Sequence, residues 1–126
     1  MAESKKVVYI SGPITGVERY WEAFERMDDL LAGMGYAVIS PARLPGGMTN
    51  AQYMKICLAS IDAADVMVLL EGWWASKGAF LERAYCEYTG KPFLEERDLD
   101  RLEDAINGRF VDHDRRMRQI AGPIGH

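Results

Sequence analysis

Between Leu70 and Glu82 the chain reads Leu-Glu-Gly-Trp-Trp-Ala-Ser-Lys-Gly-Ala-Phe-Leu-Glu. These residue types can do chemistry together. Small residues let backbone N–H groups approach an anion, and Lys77 adds positive charge. The faces of Trp73 or Trp74 can hold a flat ligand. Glu82, near the first turn of the helix that follows, supplies a carboxylate. A second stretch, Ser11-Gly12-Pro13-Ile14-Thr15-Gly16, also has the composition of an anion cradle, although it is neither a GxGxxG nor a Walker loop. Together the two stretches predict a pocket with an acid beside it.

Each of these residues also has a plainer explanation. An acid early in a helix meets the positive end of the dipole. Ser76 reads as an N-cap, Lys77 as a solvated charge, and Ser11–Gly16 as a strand-to-helix turn. Of the adjacent tryptophans, one is expected in the core and an exposed partner would suit stacking on a base. Cys57 lies on the apolar side of its helix and reads as a small buried hydrophobe. Asp62 and Asp65 bracket a helix–strand junction as turn residues. His113 and His126 are too far apart to suggest a metal pair. The two cysteines, Cys57 and Cys86, form no CxxC pattern, so reduced thiols are expected rather than a disulfide framework or zinc site.

The elements that must position these groups alternate along the chain. Val7–Ile10 predicts a strand ended by Ser-Gly-Pro. Trp21, Phe24, Met27, Leu31 and Met34 recur at helical spacing, giving a helix over 18–34 that Gly33 and Gly35 stop. Tyr36–Ile39 predicts a second strand, followed by a Pro/Gly-rich loop over 42–48. Thr49 and Gln52 fit a capping box opening a helix with Tyr53, Met54, Cys57, Leu58 and Ile61 on one side. Val66–Leu70 predicts a third strand, 78–89 a helix stopped by Gly90, and Lys91–Leu94 a fourth strand whose Pro suggests its start or an edge. Residues 98–118 predict one or two short helices, and 119–126 a frayed tail.

This β-α-β-α-β-α-β order predicts one doubly wound α/β domain of flavodoxin- or Rossmann-like type, its parallel sheet of four to five strands in the order 2-1-3-4. Ligands of such sheets bind at the carboxyl ends of the strands, at the switch point. There the loops after strands one and three, the two unusual stretches, converge. The 126 residues, 48% of them hydrophobic, suffice for one core. A net charge of −4 gives no global attraction to a nucleic acid polymer. No apolar run reaches membrane-span length and the first residues lack a secretory h-region, so a cytoplasmic protein without a membrane partner is expected.

Taken together, these residues resemble the nucleoside 2-deoxyribosyltransferase-like superfamily, and within it the small phage and bacterial proteins of the DUF4406 type. The matching pattern is Tyr9-Ile10-Ser11-Gly12-Pro13-Ile14-Thr15-Gly16, Phe24, Gly35, Val38 and Pro41. It continues through Asp65, Leu70, Gly72-Trp73, Ser76, Gly78-Ala79, Glu82, Ala84 and Gly90-Lys91-Pro92. The resemblance implies cleavage of an N-glycosidic bond in a nucleoside or nucleotide, with Glu82 as the nucleophile that forms a glycosyl-enzyme. It implies that Ser76, Gly78 and residues 11–16 hold phosphate and sugar, and that Tyr9, Trp73 and Trp21 flank the base. Ser76 stands where transferases tend to carry Asp, which points to a 5′-monophosphate. No metal or redox cofactor is implied. A homo-oligomer is expected, with residues 98–110, including Asn107, completing a neighbour's site.

Two positions depart from the pattern. Cys57 stands where many relatives carry an Asp that contacts the sugar, and Asp62, about 140° further around the helix, is a poor substitute. Pro13 stands where the nucleotide hydrolases carry Ser. Three readings follow: an N-glycosidase acting on a (2′-deoxy)nucleoside 5′-monophosphate, a deoxyribosyltransferase, or a catalytically impaired nucleotide-binding or regulatory module.

Overall fold

The computed structural model describes residues 4–110. Its strands are β1 (Val7–Ser11), β2 (Ala37–Ile39), β3 (Val66–Leu69) and β4 (Phe93–Glu95). They form a parallel sheet in the order β2-β1-β3-β4, as the alternating pattern predicts. The connections are α1 (Tyr20–Gly33), α2 (Asn50–Ala63) and α3 (Lys77–Thr89); a 3-10 segment, Glu96–Arg101, leads into α4 (Leu102–Ile106). Of the segment 98–118, expected to be helical, the 3-10 turn and α4 occupy the part up to Ile106, while 111–118 and the tail lie outside the described residues.

The strands divide their residues by parity. Val8, Ile10, Val66, Val68 and Leu94 pack in one cluster with Phe24, Met27 and Leu31 of α1 and with Leu102 and Ala105 of α4. Tyr9, Met67, Leu69 and Phe93 pack in the other, with Cys57 and Ile61 of α2 and Ala79 and Cys86 of α3. Burying such side chains fully contributes roughly 1.5–3 kcal/mol each, which fixes the register. Ser11 shares the parity of Tyr9, so both face the layer of α2 and α3. A one-residue slip of β1 would turn both away.

Two boundaries and the exposure of two side chains differ from the sequence pattern. The fourth strand begins at Phe93 rather than Lys91 because Pro92 has no N–H to donate, and the Lys91 ammonium instead caps the end of α2 at the carbonyls of Asp62 and Ala64. The first helix begins at Tyr20, after Arg19 at φ +57°. Trp21 and Met34, expected on its inner face, are each 49% exposed.

The loop over 40–49 is tied down at several points. Ser40 Oγ accepts from the Ala42 N–H, Arg43 pairs with the buried Asp28 at 2.6 Å, and the Tyr53 hydroxyl donates to the Pro45 carbonyl at 2.6 Å. The Thr49–Gln52 capping box is present, with both reciprocal bonds formed. These contacts hold the loop at the carboxyl end of the sheet. Across from it, Gly12 is explained by packing alone: a Cβ there would lie 2.9 Å from both Cβ and Cδ1 of Leu70. Gly78 is different, since a Cβ there would meet only Met54 Cε, at 3.8 Å. Gly12→Ala should therefore lower stability by about 1–3 kcal/mol in urea titration, whereas Gly78→Ala should leave the midpoint equal or higher.

Candidate active site

Glu82 lies in the second turn of α3, deeper than the sequence suggests, and is only 6% exposed. A first-turn dipole role therefore does not account for it. Two hydroxyls from β1 hold it: Ser11 Oγ donates to Oε1 at 2.7 Å, and Tyr9 Oη donates to the same oxygen at 3.1 Å. Cys57, from α2, is buried in the same cluster as Tyr9 and is electrostatically coupled to Tyr9 and Glu82. Burial pushes the Glu82 carboxyl above its ordinary range, and the donors Ser11, Tyr9 and Cys57 pull against that shift. Burial, with the nearby carboxylate, also raises Tyr9 far above the usual phenol range and raises the Cys57 thiol. Both stay protonated near neutral pH, so both remain donors.

Above Glu82 opens a cleft of about 820 Å³, within the range that holds a small organic ligand. Its walls come from the loop after β1, the loop over 40–49, and the N-terminal turns of α2 and α3. Of the residues marked by sequence, Tyr9, Gly12, Ile14, Thr15, Ser76, Gly78 and Glu82 line it. The two small-residue loops do meet: Pro13 Cγ is 3.6 Å from the place of a Cβ on Gly72.

Other marked residues stand elsewhere. Ser11 is fully buried beneath the cleft, on Glu82. Cys57 reaches the site only through Tyr9 and Glu82, and Pro13 and Gly16 are not on the lining. Trp73 corrects the expectation of a base-flanking indole. It is 4% exposed, donates from Nε1 to Glu95 at 3.1 Å, and has the Arg83 guanidinium 5.2 Å from its ring. Trp74 is exposed, but away from the cleft, as are Trp21 and Asn107.

The aromatic wall is built instead from Tyr20 and Tyr53, which sequence reasoning did not assign to the site. Pro41, Leu44 and Asn50 were missed as well. One signal was available: the loop after β2 opens at the same sheet end as those after β1 and β3, and α2 carries Asn50, Met54, Cys57 and Ile61 along one stripe.

The start of α3 suits an anion. Ser76 Oγ accepts from the Ala79 N–H at 3.2 Å, and its carbonyl accepts from Phe80 at 2.9 Å. Among the described residues the N–H groups of Lys77 and Gly78 make no hydrogen bond, and both residues line the cleft. Among the described residues no group of three or more His, Cys, Asp or Glu side chains could hold a metal ion, and no helix is long and apolar enough to cross a membrane.

A family described as a domain of unknown function, DUF4406, matches residues 6–95. The chain belongs to the DUF4406 family. The match takes in all four described strands, both small-residue loops and Glu82, and ends before α4. The fold is similar to that of a 2-deoxyribosyltransferase from the psychrotolerant bacterium Bacillus psychrosaccharolyticus, with a TM-score of 0.58 at 20% identity over 71% of this chain and 70% of that one. No curated protein matches the chain in sequence. The resemblance read from the sequence therefore holds for family and for fold.

The buried carboxyl has a consequence for stability in this DUF4406 protein. Its folded pKa is raised, so the fold favours the neutral acid. That contribution is complete below the ordinary carboxylate pKa of about 4.3 and is lost as pH rises through the folded value. Glu82→Gln keeps a carbonyl oxygen for Ser11 and Tyr9 and removes the charge. It should melt higher than the parent at neutral pH, with the difference shrinking as pH falls through the raised folded value toward the ordinary carboxylate pKa and levelling off below it; thermal melts across pH read this directly.

Proposed function

We propose that this protein cleaves the N-glycosidic bond of a 2′-deoxynucleoside 5′-monophosphate, with Glu82 as nucleophile. One observation carries the reading: a buried carboxylate, held through one oxygen by Tyr9 and Ser11, at the floor of a cleft walled by the start of α3. Both hydroxyls engage Oε1, which leaves Oε2 the better placed to attack. Oε2 bonds to C1′ as the C1′–N bond breaks, and the base leaves with the electron pair and takes a proton from solvent. Water then attacks C1′ and loses a proton to solvent as the C1′–Oε2 bond breaks and returns its electrons to Glu82, and the sugar 5-phosphate departs. This is retaining-glycosidase chemistry with a base as leaving group. Tyr9 and Ser11 stabilise the carboxylate as it is released in the second step.

Phosphate fits the other end. Ser76, Lys77 and Gly78 precede Glu82 by four to six residues, roughly 6–9 Å along the helix axis. That span is of the order separating C1′ from a 5′-phosphate. The Ser76 hydroxyl can still donate to a phosphate oxygen, and Lys77 adds charge.

Two other readings use the same residues. Deoxyribosyl transfer is favoured by the fold shared with a 2-deoxyribosyltransferase and by a cleft large enough for more than one ring. An impaired, nucleotide-binding module is favoured by Cys57, a neutral thiol beside Glu82 where a second carboxylate is expected from the family pattern. The proposal also includes a cytoplasmic homo-oligomer with no cofactor. Exposed Trp74, Phe80, Leu81 and Tyr88 around α3 support association.

The test is chromatography of free base from a panel of nucleosides and their 5′-monophosphates, with and without an acceptor base. Monophosphates should release base without an acceptor. Glu82→Ala should slow release by at least about 10³-fold; unchanged activity in that variant contradicts the mechanism. Because the nucleophile must be ionised and its pKa is raised, kcat/KM should climb with pH and level off above the ordinary carboxylate range.

A further inference from the structure

Glu82 and Arg83 are consecutive on α3, so they point about 100° apart around its axis. Both are buried. Glu82 reaches the Ser11 and Tyr9 hydroxyls of β1. Arg83 turns the other way. Its guanidinium lies over the ring of Phe93 in β4 at 5.1 Å and over that of Trp73 at 5.2 Å. Cys86 lies between these two directions around the axis, and its Sγ is 3.7 Å from Met67 Sδ of β3. The sheet runs β1-β3-β4. The helix therefore sits over β3 and holds the strand on each side of it, roughly 10 Å apart, with two neighbouring side chains.

The seat of Arg83 is itself fixed. Trp73 belongs to the 3-10 turn Trp73–Ala75 that leads into α3, and its Nε1 donates to Glu95, at the end of β4, at 3.1 Å. Arg83 also pairs with Glu87, one turn on, at 3.1 Å. A guanidinium over two buried rings makes a contact that is both flat and charged. A roll of α3 about its own axis would swing Glu82 away from β1, and it would have to pull Arg83 off both rings. The N–H groups at the start of α3 point along that axis, so the same roll leaves their aim unchanged. The hold on β4 therefore bears on the carboxylate and not on the anion end of the cleft.

We infer that Arg83 is a positioning residue for Glu82: by anchoring α3 on Trp73 and Phe93, it keeps the carboxylate on the Ser11 and Tyr9 hydroxyls. The inference rests on the reading of Glu82 as nucleophile and adds what holds it in place. The test is the titration of the Glu82 carboxyl by NMR of carboxyl-labelled glutamate, with the signal assigned by its loss in Glu82→Gln. The groups facing that carboxyl are Ser11 and Tyr9 from β1 and Cys57 from α2. Loss of the two β1 donors leaves burial to dominate, so Arg83→Met and Phe93→Leu should each raise the midpoint by about one pH unit. Phe93→Leu keeps the Arg83 charge, so a rise shared by both variants reports position. A rise in Arg83→Met alone reports lost charge and overturns the inference, as do unchanged midpoints in both. Each variant is read well below its own melting temperature, so that reduced stability alone moves neither midpoint. Base release, assayed in parallel, should slow by about ten- to a hundredfold in both variants with KM unchanged. Raised midpoints with no base release by the parent sink only the glycosidase and uphold Arg83. Base release by the parent with unchanged midpoints in the variants sinks only the positioning role.

Discussion

The site depends on one constraint: a carboxylate buried against the sheet must be held by donors that the sheet supplies. Glu82 is 6% exposed, and its burial favours the neutral acid. Ser11 and Tyr9 oppose that tendency because strand parity aims both toward α3. The same alternation places Val8 and Ile10 in the opposite cluster, against α1 and α4. The packing that stabilises β1 between its neighbours therefore also sets the hydroxyls on Glu82. Folding and chemistry share one register.

Around this centre the fold provides three walls that do different work. The start of α3 offers backbone N–H groups with a serine and a lysine. The α2 stripe descends from an amide through a thioether to a thiol. The loop over 40–49, pinned by the Arg43–Asp28 pair and the Tyr53–Pro45 bond, closes the far side. The stability cost of a desolvated acid falls at the residue to which the proposed mechanism gives an ionised role, a pattern common to functional sites.

Much of this was legible in the sequence, for identifiable reasons. Short apolar runs and helical spacing gave the strand order, and the capping box at Thr49 and Gln52 formed as written. Ser11 and Tyr9, two residues apart in a strand, had to share a face. Less was legible about the indoles. Adjacent Trp73 and Trp74 have equal propensities, and only Glu95 and Arg83, distant along the chain or on another element, decide which is buried. The part of the lining that the sequence did not mark escaped for a similar reason. Tyr20, Leu44 and Asn50 come together through tertiary packing at the sheet's carboxyl end, and no local motif marks them. Gly12 carried a double signal: its smallness fits an anion cradle but is required by Leu70.

The central claim is that Glu82 forms a bond to the sugar. Rapid acid quench of the protein with a 2′-deoxynucleoside 5′-monophosphate, followed by mass spectrometry of the digested chain, tests it most directly. A transient deoxyribose-phosphate adduct should form on the peptide containing Glu82 as free base appears. Base release with no adduct there, or an adduct on a different residue, would contradict it.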